Sequence, residues 1–319
     1  MTILLLGGNG FIGSHLAEAL HARGDRVVVL DAREPRTDTQ WRGIDYRRTH
    51  PFAADALDAA LADCDVVVHL VSATTPATAD ADPVRDVEEN LIGTLRLLEA
   101  MRRHGRRRLI YLSSGGTVYG NPTGLPVAES HALNPICAYG VVKVAVEHCI
   151  RIQAEAGVLD PVVVRPSNPY GERQAASRAQ GLIGIAMMRL LKGAPVQLWG
   201  DGGHVRDFLH VDDLVRLLVT AVHGNVSGVF NAGGGQGHRL DEVCALIERA
   251  AGTPLRIERL PARRFDVREI VLDIRAARDA FGWAPSIPLS DGVLRTWQIL
   301  SRGARTVPYP PQRPSASPL

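Results

Sequence analysis

Lysine is almost absent from this chain: two residues in 319, against 34 arginines. Cysteine is scarce too. Cys64, Cys137, Cys149 and Cys244 show no Cys-x-x-Cys spacing and read as reduced, small apolar side chains of a cytoplasmic protein. The eleven histidines are scattered, and no metal-ligand pattern joins them, so no metal is expected. The net charge of +2 gives no case for nucleic acid or a membrane surface as partner. The one basic cluster, Arg102-Arg103-His104-Gly105-Arg106-Arg107-Arg108, falls between a helix and a strand and reads as a solvated helix end. No apolar run is long enough to span a bilayer, and no signal peptide is expected before a first strand that starts at residue 3. An ordinary hydrophobic content of 45% and this length predict one large domain or two intimate ones.

Against that scarcity, Tyr139 and Lys143 stand four residues apart. With six tyrosines and two lysines in the chain, chance supplies about 0.04 such pairs. They open a helical stretch from Tyr139 to Glu155, and positions i and i+4 share a helix face. An ammonium beside a phenol favours the phenolate, which predicts a lowered pKa and a tyrosine able to act as general base.

The chain begins with an apolar run, Ile3-Leu4-Leu5-Leu6, followed by Gly7-Gly8-Asn9-Gly10-Phe11-Ile12-Gly13-Ser14 and a helical pattern at Leu16, Ala17 and Leu20. Strand, glycine turn and helix in this order form a dinucleotide loop, with Gly7, Gly10 and Gly13 allowing the turn, the pyrophosphate approach and helix-on-strand packing. A second strand, Val27 to Leu30, ends in Asp31, 18 residues after Gly13. A carboxylate there can accept both adenosine ribose hydroxyls and repel a 2′-phosphate, so NAD is expected over NADP, with Arg33 and Arg36 close by.

Strand and helix signals alternate to residue 170. Asp65 to Leu70, Leu109 to Leu112 and Val162 to Val164 read as buried strands, and 84–104 reads as a helix. The expected fold class is therefore α/β, a parallel doubly wound sheet. After Pro169 the pattern is irregular and punctuated by Gly and Pro. Residues 1–170 are read as the dinucleotide-binding part, with one later return of the chain near 207–232. Residues 171–206 and 233–306 are read as a smaller substrate-facing part, and 307–319 as a Pro-rich tail. Gly233-Gly234-Gly235 reads as a turn, not a second phosphate loop.

Taken together, these motifs resemble the extended short-chain dehydrogenase/reductase family, in its NAD-dependent nucleotide-sugar epimerase/dehydratase branch, over roughly residues 1–300. The resemblance rests on the segments Gly7 to Gly13, Asn90, Ser113 to Gly120, Tyr139 to Lys143, Arg165 to Gly171 and Arg206 to Asp213. It implies a Rossmann-type sheet with a smaller C-terminal α/β domain that holds a nucleoside-diphosphate sugar. Tyr139 would be the base on a sugar hydroxyl, and Lys143 would hold the nicotinamide ribose. For the cofactor, the resemblance adds Phe11, Ile12, Asn90, Ser113 and Pro166. Asp45 and Tyr46, ending a third strand, would lie near the adenine, and Leu70, Val71 and Ser72 would line the NAD channel. On the substrate side, Asn168, Arg206 and Arg263 would approach the diphosphate, with Asp266 beside them. Gln197, Trp199 and Leu240 would flank the base, and Ile270 would gate the sugar pocket. Helices 84–104 and 139–157 would form a four-helix homodimer interface.

The chain departs from the resemblance at Gly115, where epimerases of this type carry a Ser or Thr hydroxyl. If 113–119 is strand-like, Thr117 faces the same side as position 115, and Ser114 the other, so Thr117 is the preferred substitute and Ser114 the second. The next two positions, Gly116 and Thr117, lack the Asp-Glu pair of dehydratases and the Glu of sugar-acid decarboxylases. The expected activity is a 4-epimerase acting on a UDP-hexose. A net oxidoreductase that releases a keto product, and a non-catalytic NAD-binding protein, are the alternatives.

Overall fold

The computed structural model describes residues 1–174, 181–262 and 266–306, with the backbone alone at 303–306. In chain order the first part runs β1 (Thr2–Leu6), α1 (Phe11–Ala22), β2 (Arg26–Asp31), β3 (Asp45–Arg48), α2 (Ala54–Leu61) and β4 (Val66–His69). There follow α3 (Pro76–Ala81), α4 (Pro83–Asp86), a π-helical turn (Val87–Ile92), α5 (Gly93–Arg103), β5 (Arg108–Leu112), α6 (Ala138–Glu155) and β6 (Asp160–Pro166). Then come β7 (Asn168–Tyr170), α7 (Leu182–Leu191), β8 (Val196–Trp199), β9 (Val205–His210), α8 (Val211–His223) and β10 (Gly228–Ala232). The chain continues with β11 (Gly237–Arg239), α9 (Leu240–Ala251), β12 (Ile257–Leu260), β13 (Glu269–Ile270), α10 (Arg275–Phe281) and α11 (Leu289–Thr306).

The apolar runs become strands buried on both faces, as a parallel sheet covered by helices requires. Side chains alternate across β1. Ile3 and Leu5 pack with α1 and α8, while Leu4 and Leu6 pack with α2, α5 and α6. Seven parallel strands lie in the order β10-β6-β5-β4-β1-β2-β3. The order reverses at β1, whose neighbours are β2 and β4, and the crevice beyond the carboxyl ends of those strands is where an open α/β sheet takes its ligand. The expected return of the chain is α8 and β10, which closes the sheet edge beside β6.

Past β6 the chain builds a second, smaller layer. Strand β9 pairs with β7, β11 and β13, and β8 pairs with β12. Helices α7, α9 and α11 cover this layer through Ile183, Met187, Val243, Ile247 and Val293. Asp207, buried on β9, accepts the amides of Gly234, Gly235 and Leu272, which takes up the 233–235 turn as a structural corner.

Three sequence expectations change. The helix over 84–104 is α4, the π-helical turn and α5 in succession. Asp45 and Tyr46 open β3 instead of ending it. Ser113 to Tyr119 leaves the strand after Leu112 and turns: the Ser114 carbonyl accepts the amides of Thr117 and Val118, so the alternating geometry expected there does not hold. Arg263 and the tail at 307–319 lie outside the described residues. Among the described residues, no helix is long and apolar enough to cross a membrane.

Candidate active site

A cavity of about 590 Å³ lies beyond the carboxyl ends of β1, β2, β4, β5 and β6. Gly7, Gly10, Phe11, Ile12 and Gly13 form one wall. A Cβ on Gly13 would stand 2.6 Å from the Gly7 carbonyl oxygen, so only glycine lets α1 start this close to the strand end. The helix carries no side-chain cap, and its first-turn amides are left for an anion. This cradle fits the pyrophosphate of a dinucleotide.

Asp31 accepts the Asn9 amide and a two-point guanidinium contact from Arg33. Leu70, Val71 and Ser72 line the cavity as expected. Asn90 does not. It sits behind them, accepting the Ala73 amide and donating to Thr74 and Asp86, and so braces the 72–74 loop. Asp45 and Tyr46 are also off the cavity: Asp45 pairs with Arg47, and the Tyr46 hydroxyl donates to the Arg33 carbonyl. Because β3 begins at Asp45, its carboxyl end is further along, and His50, Pro51 and Phe52 reach the cavity instead.

Tyr139 and Lys143, one turn apart on α6, both line the cavity and are both buried. Lys143 Nζ donates to the Leu112 carbonyl at 2.9 Å and lies 5.6 Å from the Tyr139 ring centroid. The expected depression of the phenol is not found. Burial pushes Tyr139 up to about 12, with a hydrogen bond to Ser72 opposing it. Burial also brings Lys143 down to about 8, so the ammonium is desolvated along with the phenol it was expected to activate. Behind Lys143, Glu147 receives Ser113 Oγ and pairs with the buried Arg165, which also donates to the Tyr119 hydroxyl at 2.8 Å. The Ser113 hydroxyl is thereby committed to the fold, although the residue borders the cavity with Pro166.

Gly115 packs where a side chain cannot go. A Cβ there would meet Leu272 Cδ1 at 2.5 Å and the carbonyl oxygens of Arg165 and Pro166 at 2.9 and 3.0 Å. Ser114 and Thr117 both line the cavity. The Thr117 hydroxyl is buried with no hydrogen-bond partner among the described residues. A buried hydroxyl left without a partner costs about 1–3 kcal/mol.

Asn168, Arg206 and Asp266 line the same cavity. Asn168 donates to the Asp207 carbonyl, and Arg206 to the carbonyls of Val205 and Arg268. No carboxylate pairs with Arg206 among the described residues, and burial lowers its pKa. Gln197, Trp199 and Leu240 are not on the cavity; Gln197 is bound to Glu258 across β8 and β12. Ile270 is 1% exposed and packs with Val118, Tyr119, Val127 and Leu272, so it is a core residue and does not gate the pocket. The sequence reading also missed Thr74, Arg85, Glu89, Cys137, Arg173 and Gln174 on the cavity wall. Among them, only Cys137 could have been found from its place two residues before Tyr139.

One His–carboxylate group lies elsewhere. Glu172, His210 and Asp212 come together, but Arg295 reaches both carboxylates at 3.0 and 2.7 Å and supplies the positive charge there.

Residues 3–233 match the NAD dependent epimerase/dehydratase family. The chain belongs to that family. The UDP-glucose 4-epimerase of Mycolicibacterium smegmatis is 34% identical over 306 residues, which cover 93% of this chain and 97% of the relative. Among solved structures, the UDP-glucose 4-epimerase of Thermotoga maritima with UDP-glucose superposes with a TM-score of 0.90 at 31% identity, covering 95% of this chain and 99% of the other. The Thermus thermophilus UDP-glucose 4-epimerase in complex with NAD gives 0.88 at 33% identity, covering 93% and 98%. As a member of this family, the chain is an NAD-dependent enzyme.

Proposed function

We propose that the protein interconverts UDP-hexoses by 4-epimerisation, with NAD held at the glycine cradle. The observation that carries the reading is the shared cavity: Tyr139, Thr117 and Arg206, which forms no ion pair among the described residues, line the same space as the glycine loop. The activity named for the Mycolicibacterium, Thermotoga and Thermus proteins supports it.

Gly10, Phe11, Ile12 and Gly13 would hold the pyrophosphate, and Lys143 the nicotinamide ribose. NAD, when bound, would supply a reversible hydride acceptor, so that the sugar would pass through a 4-keto form with no net redox change. Tyr139 would take the proton of the C4 hydroxyl and return it. A phenol pushed up to about 12 carries its proton at neutral pH, so it could take the sugar proton only after losing its own, as a phenolate stabilised by a cation beside it. Lys143 is the cation this chain itself provides, one helical turn away. Thr117 would hold the sugar hydroxyl near Tyr139, and Arg206 with Asn168 would take the diphosphate, where a planar guanidinium suits phosphate oxygens. Because Gly116 offers no carboxylate, water expulsion has no acid at this position.

The protein would work as a homodimer. Val84, Val87, Ile92 and Leu95 on the helical stretch from α4 to α5, with Val141 and Ile152 on α6, are exposed apolar side chains on the two helical segments that would form the four-helix interface.

The direct test is incubation with a panel of UDP-sugars, after mass spectrometry of ligands that co-purify. Conversion of UDP-glucose to UDP-galactose without accumulating NADH is expected. Stoichiometric NADH with a released keto sugar would replace the epimerase by a net oxidoreductase.

A further inference from the structure

The adenosine-ribose end of the cavity is built differently from a bare acidic discriminator. Asp31 is 3% exposed. Its Oδ1 accepts the Arg33 amide at 3.1 Å and Arg33 Nε at 2.9 Å, and its Oδ2 accepts the Asn9 amide at 3.1 Å and Arg33 Nη2 at 2.8 Å. A carboxylate has about four lone-pair sites, and these four donors fill them. Adenosine ribose hydroxyls would therefore find no acceptor free on Asp31 unless Arg33 moved. The negative charge that turns away a 2′-phosphate is neutralised by the same guanidinium.

The segment that carries Arg33 is pinned in place. Asn9 Nδ2 donates to the Glu34 carbonyl, Arg36 N–H donates to Asn9 Oδ1, and the Tyr46 hydroxyl donates to the Arg33 carbonyl at 2.7 Å. Arg33 Nη2 lies 3.8 Å from where a Cβ on Gly10 would stand, beside the glycine wall. Arg33 and Arg36 both line the cavity. Nη1 of Arg33 makes no hydrogen bond among the described residues, so a third donor of the fork remains for a ligand.

We propose that Arg33 is a specificity-determining residue that opens this site to 2′-phosphorylated dinucleotides, so that NADP binds alongside NAD. The proposal rests on the dinucleotide reading of the cavity and is independent of which sugar is turned over. Arg33 offers the 2′-phosphate a planar guanidinium, and Asp31 acts as the anchor that aims Arg33 instead of as a ribose acceptor, while the Arg36 guanidinium is already paired with Asp38.

Equilibrium titration of nucleotide-free protein with NAD and with NADP tests it without reference to turnover, and NAD binding by the wild type tests the dinucleotide reading itself. Wild type should bind NADP within about tenfold of NAD, and Arg33→Ala should weaken NADP by about 10- to 100-fold, the range of a charge-assisted hydrogen bond, while NAD changes less than about threefold. Competition by 2′,5′-ADP should fall in step with NADP. Should Arg33→Ala not fold, Arg33→Gln, which keeps a donor toward Asp31 without the charge, should give the same split. A wild-type preference for NAD above about tenfold, or a variant that weakens both dinucleotides alike, would overturn the proposal.

Discussion

At Tyr139 burial outweighs the hydrogen bond to Ser72. The phenol is pushed up to about 12 and Lys143 down to about 8, so each group is held toward its neutral form. The folded-state value of Lys143 lies below its ordinary 10.5, so a charged lysine costs the fold stability below about pH 8. That cost is relieved as pH rises from about 8 toward 10.5. Lys143→Met should therefore be more stable than wild type at pH 7, by about 1–3 kcal/mol, and the difference should shrink toward pH 10, while activity is lost. Urea unfolding at the two pH values measures this; equal stability at pH 7 would mean the buried ammonium carries no penalty. Tyr139→Phe should retain NAD binding and lose about 10²- to 10⁴-fold in turnover, the usual contribution of a positioned acid–base group. Thr117→Val should lower turnover more than Ser114→Ala, since the Thr117 hydroxyl is buried and has no hydrogen-bond partner among the described residues. A double variant with near-wild-type turnover would exclude both hydroxyls from the proton route.

The glycine spacing was legible in the sequence because it answers a steric demand inside a single loop. Gly13→Ala should abolish NAD binding and destabilise the protein by about 1–3 kcal/mol, because its Cβ would stand 2.6 Å from the Gly7 oxygen. A variant that binds NAD with unchanged affinity would show that the loop can shift to admit a methyl. The buried strands and α6 were legible for the same local reason, since their periodicity reports their own burial. What could not be read depends on where an element stops. The start of β3 at Asp45 moves its carboxyl end to Arg48, so that His50, Pro51 and Phe52 line the cavity and Asp45 and Tyr46 do not. The turn at 113–119 sets Thr117 by its bond to the Ser114 carbonyl and not by strand alternation. Asn90 and Ile270 hold motif positions, yet the packing of α4, the π-helical turn and β13 points them into loops and core.

Across the whole molecule, the chemistry is divided between two layers. Tyr139, Lys143 and the glycine cradle belong to helices and loops of the seven-stranded sheet, while Arg206 stands on β9, in the small sheet that β7, β11 and β13 complete. The two meet because only Ser167 separates β6 from β7, whose Asn168 pairs with Phe208 on β9. Dinucleotide binding should then be a property of the large sheet, and sugar-nucleotide binding a property of both. Arg206→Ala separates them. The substrate KM should rise by about 10- to 100-fold through loss of a charge-assisted phosphate contact, with the dissociation constant of NAD unchanged. Arg206→Lys should recover part of the loss, because it restores the charge without the planar fork. If the alanine variant kept its KM, the diphosphate would lie outside the reach of β9, and the small sheet would have to hold the substrate through other groups. If NAD affinity fell in parallel with KM, the two layers would be coupled through the 166–168 corner, and Arg206 would be acting on the fold instead of on the phosphate.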